Sequence, residues 1–237
     1  MRRTTRKEPV YGEQGNRLIS LSRQIGSIIA ANRPVLWYDF GDESLVTVSS
    51  GQAISIADKG SRGWNLTRTT TGPQYVTGIN GRKCIDWGSV THSNLLRNTS
   101  STATTLADIY VILDASFGAS FAAFAGLVSN SGDPGWTVYG SGTSLAGSIN
   151  QAYINGSTTN TISSVLPAIN SPSLLRLKHS ATPIVSSGGF QIGSDRSNAN
   201  RGWYGLIGEV VVFSDVLDSQ NSAAVATELM GKWGITA

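Results

Sequence analysis

Short apolar runs separated by clusters of Gly, Asn and Ser occupy most of the chain. Runs of this kind are typical of β-strands, and their close spacing favours an antiparallel β-sandwich. Asn-Gly pairs at 80–81 and 155–156 indicate tight turns between strands. Residues 218–233 instead show apolar side chains at three- and four-residue spacing, which predicts a short C-terminal helix opening at Asp218 or Ser219. The runs that predict strands are 35–40, 45–48, 53–56, 109–113, 121–127, 136–139, 151–154, 174–177, 190–192 and 206–213.

A second helix is predicted before the first strand, over residues 16–31. Asn16 can act as its N-cap, and apolar residues follow at spacings of three and four, the a and d positions of about two heptads. Pro34 pushes the preceding Arg33 out of the α region, which ends the helix. A helix this short needs a packing partner. Its partner is either its own sandwich or other chains.

Charge is distributed unevenly between the two ends of the chain. Residues 1–33 carry seven basic and two acidic side chains, a net charge of +5, whereas the whole chain carries +3. The rest of the chain is therefore mildly acidic, at −2. A basic arm is attracted to acidic surfaces or nucleic acid, although a plain solvated terminus has the same composition. The candidates for anchoring and oligomerisation are Arg2, Arg3, Arg6, Lys7, Leu18, Leu21, Ile25 and Ile28.

Composition narrows the classes of protein. The chain has 237 residues, of which 40% are hydrophobic and only 14% charged, so a sizeable core can form. Cys84 is the single cysteine, so no internal disulfide forms, and with two histidines a Cys/His zinc site is nearly excluded. The first residues lack the apolar stretch of a secretory signal, and no apolar run is long enough for a transmembrane helix. We expect a protein made in the cytoplasm and no membrane partner.

Three stretches resemble the concanavalin A-like lectin/glucanase superfamily, in its LamG-like jelly-roll branch. They are residues 36–40 with 58–66, residues 74–76 with 80–87, and residues 192–195 with 203–213 and 229–235. The third is the most specific, because Gly-Leu-Ile-Gly-Glu-Val-Val-Val-Phe followed by Gly-Lys-Trp-Gly-Ile is similar to the usual ending of this branch. The resemblance covers about 34–237, with 100–185 matching only as generic strands. It implies a jelly-roll domain over 34–237, preceded by an arm and helix over 1–33.

The superfamily includes glucanases, so a catalytic role for this chain has to be considered. Their E-x-D-x-x-E pattern places two carboxyl groups about 5–5.5 Å apart on one strand face. Here Glu209 is followed by Val210, Val211, Val212 and Phe213, with no second carboxylate on that strand. We therefore expect no enzyme activity and no cofactor. A bare buried charge is costly, so Glu209 is predicted to face solvent or to bind backbone N–H groups of a neighbouring turn.

Sugar binding is the alternative chemistry that the residues allow. Lectin-type sites place an exposed aromatic ring beside Asp, Asn and Gly, often with calcium. Two loops, residues 130–136 and 195–203, offer such groups, and calcium is a possible cofactor there. Neither loop has the dense acidic spacing of a strong calcium site, and Arg196 and Arg201 oppose a cation. For Trp136 and Trp203 the alternative is a position in the core. The candidate glycan contacts are Asp133, Trp136, Asp195, Asn198 and Trp203.

The resemblance also suggests a role for the chain. Jelly rolls of this type look like those in tailed-bacteriophage virions, so the expected function is a structural virion protein anchored through its N-terminal arm. A capsid decoration (cement) protein is favoured, with a tail-fibre or baseplate component, or a lectin-like module for host attachment, as the alternatives. Expected partners are a major capsid or tail protein, further copies of the chain as a trimer, and a cell-surface glycan in the lectin-like case.

Overall fold

The computed structural model describes residues 28–68, 70–88, 95–100, 102–115, 128–129, 149–159, 169–179, 184–186, 189–193 and 203–236. Strands and 3-10 turns occupy most of this part of the chain, and one long helix, α1 (Ser219–Trp233), closes it. The strands are β1 (Leu36–Asp39), β2 (Val46–Ser49), β3 (Gln52–Ile56), β4 (Leu66–Arg68), β5 (Gln74–Thr77), β6 (Lys83–Asp86), β7 (Leu96–Arg97), β8 (Thr104–Leu106), β9 (Asp108–Asp114), β10 (Val128–Ser129), β11 (Ile149–Ile154), β12 (Ser157–Thr159), β13 (Ser173–His179), β14 (Ile184–Ser186), β15 (Gln191–Ile192) and β16 (Leu206–Phe213). The 3-10 turns are Glu43–Leu45 and Ile79–Gly81.

The strands join in one antiparallel path. Its order is β10-β15-β7-β4-β3-β5-β6-β16-β9-β13-β11-β12, with β1 also paired to β16 and β2 to β3, while β14 and β8 form a separate pair. Side chains of β3, β4 and β7 share one apolar cluster with side chains of β9, β13 and β16, so the path folds over on itself. The predicted all-β antiparallel sandwich with a short C-terminal helix is confirmed.

Turn residues explain where the hairpins form. In the β2–β3 and β11–β12 hairpins two residues link the strands, and both have positive φ: Ser50 at 50° and Gly51 at 76°, Asn155 at 48° and Gly156 at 85°. Two residues with positive φ define the turn whose twist matches that of paired strands, and Asn-Gly is its preferred sequence. The Asn-Gly pair predicted to turn at 155–156 does so.

Two apolar clusters lie on opposite faces of the sheet that contains β16. Along β16, Val210 and Val212 belong to the cluster between the two halves of the sandwich, which we call the inner cluster. Val211 and Phe213 belong to the outer cluster, which α1 covers. This alternation is the two-residue period of a strand buried on both faces. The outer cluster consists of Ile29, Ile79, Cys84, Tyr110, Ile112, Leu174, Val211, Phe213, Val225, Leu229, Trp233 and Ile235.

Helix α1 has a defined beginning and end. The Asp218 carboxylate accepts a hydrogen bond from the Asn221 N–H at 2.7 Å, as an N-cap does. Gly234 follows the last turn with φ 65°, the left-handed conformation that commonly ends a helix. The helix predicted over 218–233 is therefore confirmed, with Asp218 as its cap.

The described chain begins with one helical turn, at residues 28–31. Ile29 is buried in the outer cluster, Ile28 is half-buried against it, and the Ile29 N–H donates to Glu228 Oε2 at 3.3 Å. Arg33, at φ 51°, then breaks the helix before Pro34, as predicted. The sequence left two packing partners open, the sandwich of the same chain or other chains. Ile28 packs on the sandwich of its own chain. The other anchor candidates, Arg2, Arg3, Arg6, Lys7, Leu18, Leu21 and Ile25, lie outside the described residues.

Candidate functional site

A carboxylate pair lies beneath the C-terminal half of α1. Asp39 of β1 and Glu209 of β16 stand directly opposite each other in the antiparallel register. Their residues are only 3% and 1% exposed. Glu209 accepts hydrogen bonds from the indole N–H groups of Trp37 at 2.7 Å and Trp233 at 2.6 Å. The pair is thus held by side chains from three separate parts of the chain.

These contacts correct the prediction for Glu209, which neither faces solvent nor binds backbone N–H groups. The pairing of β16 with β9 shifts register between Ile207 and Glu209, and Glu209 lies on the face that α1 covers. A carboxylate buried there needs donors, because an unpaired charge in a dry interior is very costly. Two indoles and the Lys232 ammonium provide them.

Lys232 joins the two carboxylates. Its Nζ lies 2.7 Å from Asp39 Oδ2 and 2.7 Å from Glu209 Oε2. Lys59 approaches Asp39 Oδ2 at 3.3 Å and stands 4.2 Å from the centre of the Trp37 ring. Burial, reinforced by the charge of Asp39, raises the pKa of Glu209. Burial opposes the ammonium form of Lys232, but the charges of Glu209 and Asp39 outweigh it and raise the pKa of Lys232.

A cleft of about 340 Å³ opens at the other end of α1, against the outer face of β11 and β13. Its volume is at the lower end of the range for small-molecule sites, which is about 300–1,000 Å³. One wall is polar and aromatic and comes from the strands, and the other is formed by small side chains of the first turns of α1. The lining residues are Tyr153, Gly156, Leu174, Arg176, Lys178, Leu217, Ser219, Ser222, Ala223 and Ala226.

Arg176 is the fixed centre of the strand wall. Its Nε and Nη2 donate to the two carboxylate oxygens of Asp108 at 2.8 and 2.7 Å. Its guanidinium lies 5.3 Å from the ring centre of Tyr110 and 5.0 Å from that of Tyr153. Burial raises the pKa of Asp108, although the hydrogen bonds and charge of Arg176 oppose the shift. Bidentate pairing and stacking hold the guanidinium in one orientation, so a ligand would meet a preorganised surface.

Lys178 and Tyr153 complete this wall. Both lie near the Gln151 amide oxygen, the Tyr153 hydroxyl at 2.8 Å and the Lys178 ammonium at 3.5 Å. A contact of 3.5 Å is at the limit for a hydrogen bond, so the ammonium is held weakly. The wall therefore presents one aromatic ring, one fixed guanidinium and one adaptable ammonium, a set suited to a ligand of saccharide size with hydroxyl or acidic groups.

The glycan contacts predicted from the sequence are not those of this cleft. Asp133, Trp136, Asp195 and Asn198 lie outside the described residues. Trp203 is fully buried in the inner cluster, so its ring offers no surface to a sugar, and its core alternative is correct. The sequence does carry one signal of the cleft, which the predicted glycan contacts did not include. Arg176 and Lys178 alternate with two leucines, as on a strand with one polar face.

The sequence predicted neither a Cys/His zinc site nor a membrane-spanning helix. A metal site needs clustered ligands, and a membrane-spanning helix needs a long apolar stretch. Within the described ranges, no group of three His, Cys, Asp or Glu side chains is placed to hold a metal ion. The two loops predicted as possible calcium sites lie largely in the remaining segments. None of the helices in the described part of the chain combines the length and the apolar character needed to cross a bilayer.

The fold defines the molecule as an antiparallel, jelly-roll-like β-sandwich with an outer helix. Compared with known proteins, the chain matches no protein-family model and no curated protein. The geometry of the described residues and the resemblance of the sequence motifs are therefore the grounds for assigning a function.

Proposed function

We propose that the chain is a structural protein of a tailed-bacteriophage virion, and more specifically a capsid decoration protein that its N-terminal segment anchors. The resemblance to LamG-like jelly rolls suggests the virion, and the jelly-roll-like fold agrees with that resemblance. The observation that carries the proposal is the attachment of the N-terminal segment to the domain. Basic residues 1–27 continue directly into the helical turn that contributes Ile29 to the outer cluster.

This attachment gives an anchor a rigid base. Ile29 is 1% exposed, and its N–H is bonded to Glu228 of α1, so the chain enters the domain at a fixed point. A truncation that tests the anchor should therefore begin at residue 28, because one that begins at 34 also removes Ile29 from the core.

The carboxylate pair supports a role without catalysis. Glycoside hydrolysis needs two carboxyl groups that reach a sugar from opposite sides. Asp39 and Glu209 are instead covered by α1 and bonded to Lys232 and two indoles. These groups form a buried ion-pair network that joins β1, β16 and α1.

Sedimentation velocity of the full chain tests the anchoring role. If residues 16–31 assemble copies of the chain, Leu21→Asp combined with Ile25→Asp should lower the sedimentation coefficient to that of a monomer. Val216→Asp is the matched control, because Val216 is an exposed apolar residue of the jelly roll itself. The same coefficient for all three proteins would contradict self-assembly through this helix.

Saccharide recognition is a second candidate function, and the cleft beside α1 favours it. Tyr153 offers an aromatic ring, and Arg176 and Lys178 offer donors to hydroxyl or carboxylate groups. A jelly roll displayed on a particle could use this cleft to hold a host-surface glycan. The decoration and recognition roles are compatible, because the cleft and Ile29 lie at different places along α1.

Binding to a glycan array tests this second function. Tyr153→Ala and Lys178→Met should each abolish any signal given by the full chain. Lys83→Met is the matched control, since Lys83 is also a half-buried lysine near a tyrosine ring, at 5.6 Å from Tyr75, but lies on β6. Signals that all variants retain would place glycan binding outside the cleft, and no signal from the full chain would contradict the function.

A further inference from the structure

The arrangement of Lys232 between two carboxylates resembles a reaction geometry as well as an ion pair. Its amine nitrogen is 2.7 Å from an oxygen of each, and the two carboxylates face each other across adjacent strands. Asp39 comes from the first strand, and Lys232 from the last turn of the C-terminal helix. A bond between them would join the beginning and the end of the domain.

Asp39 has an unusual environment for a carboxylate. Oδ2 contacts Lys232 and Lys59, but the buried Oδ1 accepts no hydrogen bond from any described residue. An unsatisfied carboxylate oxygen in the interior is costly, whereas the oxygen of a neutral amide costs much less to bury. Conversion of Asp39 to an amide would therefore relieve an unfavourable feature of the fold.

We propose that Lys232 and Asp39 condense in the folded protein to an amide cross-link, with Glu209 as the group that transfers the proton. Glu209 Oε2 takes one proton from the Lys232 ammonium, and the freed nitrogen lone pair attacks Cγ of Asp39. A C–N bond forms, and the C–Oδ2 bond breaks. Oδ2 leaves as water with two protons from the former ammonium, one of them returned by Glu209, and Oδ1 becomes the amide oxygen.

The surroundings favour proton acceptance by Glu209, although the raised pKa of Lys232 makes the loss of its proton the demanding step. Burial raises the pKa of Glu209, which makes it a stronger base towards the ammonium. Trp37 and Trp233 hold Glu209 in place through their indole N–H groups. The Lys232 side chain is 29% exposed, so the water that is released has a path to solvent.

Proximity lowers the barrier. Free amines and acids condense slowly in water, but well-oriented groups within one molecule reach effective concentrations of about 10⁵–10⁸ M, which accelerates their reaction. Condensation also replaces a buried pair of charges, whose desolvation opposes folding, by a neutral group. The reaction needs no oxidant, metal or co-reactant, because all the reacting atoms are in the chain.

Intact-mass spectrometry of the full-length protein in denaturing solvent tests the proposal without a variant. The expected mass is lower than the sequence mass by one water molecule. A tryptic digest should contain one branched peptide that joins the segment of Asp39 to that of Lys232, with no cleavage after Lys232. The full sequence mass, unchanged after prolonged incubation of the folded protein, would overturn the proposal, as would a water loss mapped to another site.

Four variants assign the roles, each checked for folding by circular dichroism. Lys232→Arg keeps the charge but should retain the full sequence mass, and Glu209→Gln should do the same. Asp39→Asn should lose one ammonia molecule instead of water. Lys59→Arg is the matched control and should still condense. Condensation in Lys232→Arg would overturn the assignment. A branch at residue 59 in the wild type, together with loss of condensation in Lys59→Arg, would do the same.

Discussion

The close contact between Gly208 and Trp233 offers a direct test of how α1 packs on the sheet. The Trp233 side chain is fully buried, and its ring lies directly over β16. A Cβ atom added at Gly208 would stand 2.6 Å from Cη2 of this ring, closer than real Cβ contacts occur. The φ of Gly208 is one that other residues adopt, so the effect of Gly208→Ala comes from this contact and not from backbone strain.

Gly208→Ala should lower the free energy of unfolding by about 1–3 kcal/mol, the usual cost of overpacking a core. In a Trp233→Leu background the space opens, so the same substitution should change stability by less than about 0.5 kcal/mol. Gly231→Ala is the matched control. Gly231 lies on α1 with no atom near the added methyl group, so the substitution should raise stability by about 0.5–1 kcal/mol through helix propensity alone.

Urea unfolding followed by far-ultraviolet circular dichroism measures these differences, provided that all proteins share one m-value. A Gly208→Ala effect of equal size in both backgrounds would refute the packing of Trp233 on β16. A stabilising or neutral Gly208→Ala in the wild-type background would do the same.

Three further predictions concern buried groups. Arg176→Leu should lower the free energy of unfolding by about 3–5 kcal/mol in urea, because it leaves the Asp108 carboxylate buried without its ion-pair partner. The double variant Asp108→Leu with Arg176→Leu should be less destabilised than Arg176→Leu alone. If the effects of the two substitutions simply add, the two residues do not form this ion pair. Burial raises the pKa of Glu228 from 4.5 to about 7, above its unfolded value, so its ionisation weakens the fold as pH rises through that window. The stability advantage of Glu228→Gln over wild type should therefore grow from pH 4.5 to 7, and a difference independent of pH would contradict this. Cys84, buried and with its thiol pKa raised by burial, should react with Ellman's reagent only upon unfolding, whereas rapid reaction in native buffer would contradict its position.

The longer strands and α1 could be predicted because local pattern determines them. In β9 and β16 long apolar runs reflect burial on both faces, and Asp218 and Gly234 mark the two ends of the helix. Strands of two or three residues, such as β4 and β7, carry too few residues to show a period. Their strand conformation depends on the partners that the fold brings beside them. The strands predicted at 121–127 and 136–139 lie outside the described residues.

The candidate sites could be predicted only in part. The sequence singled out Glu209 as a charge in an apolar strand, but its partners Trp37 and Trp233 are far away along the chain. No local pattern states that β1 and α1 meet at that strand. The cleft depends in the same way on the position of α1 over β13, which sets Ser219 opposite Arg176. Composition indicated neither contact.

Membership of a virion is the central claim, and the composition of particles tests it most directly. Particles should be purified on a density gradient from a culture of cells that carry the gene for this chain, and their proteins quantified by mass spectrometry. We expect the chain to co-purify with the major capsid protein at a fixed ratio, and a chain lacking residues 1–27 to be absent from the particles. Intact particles without the full chain would contradict the proposal.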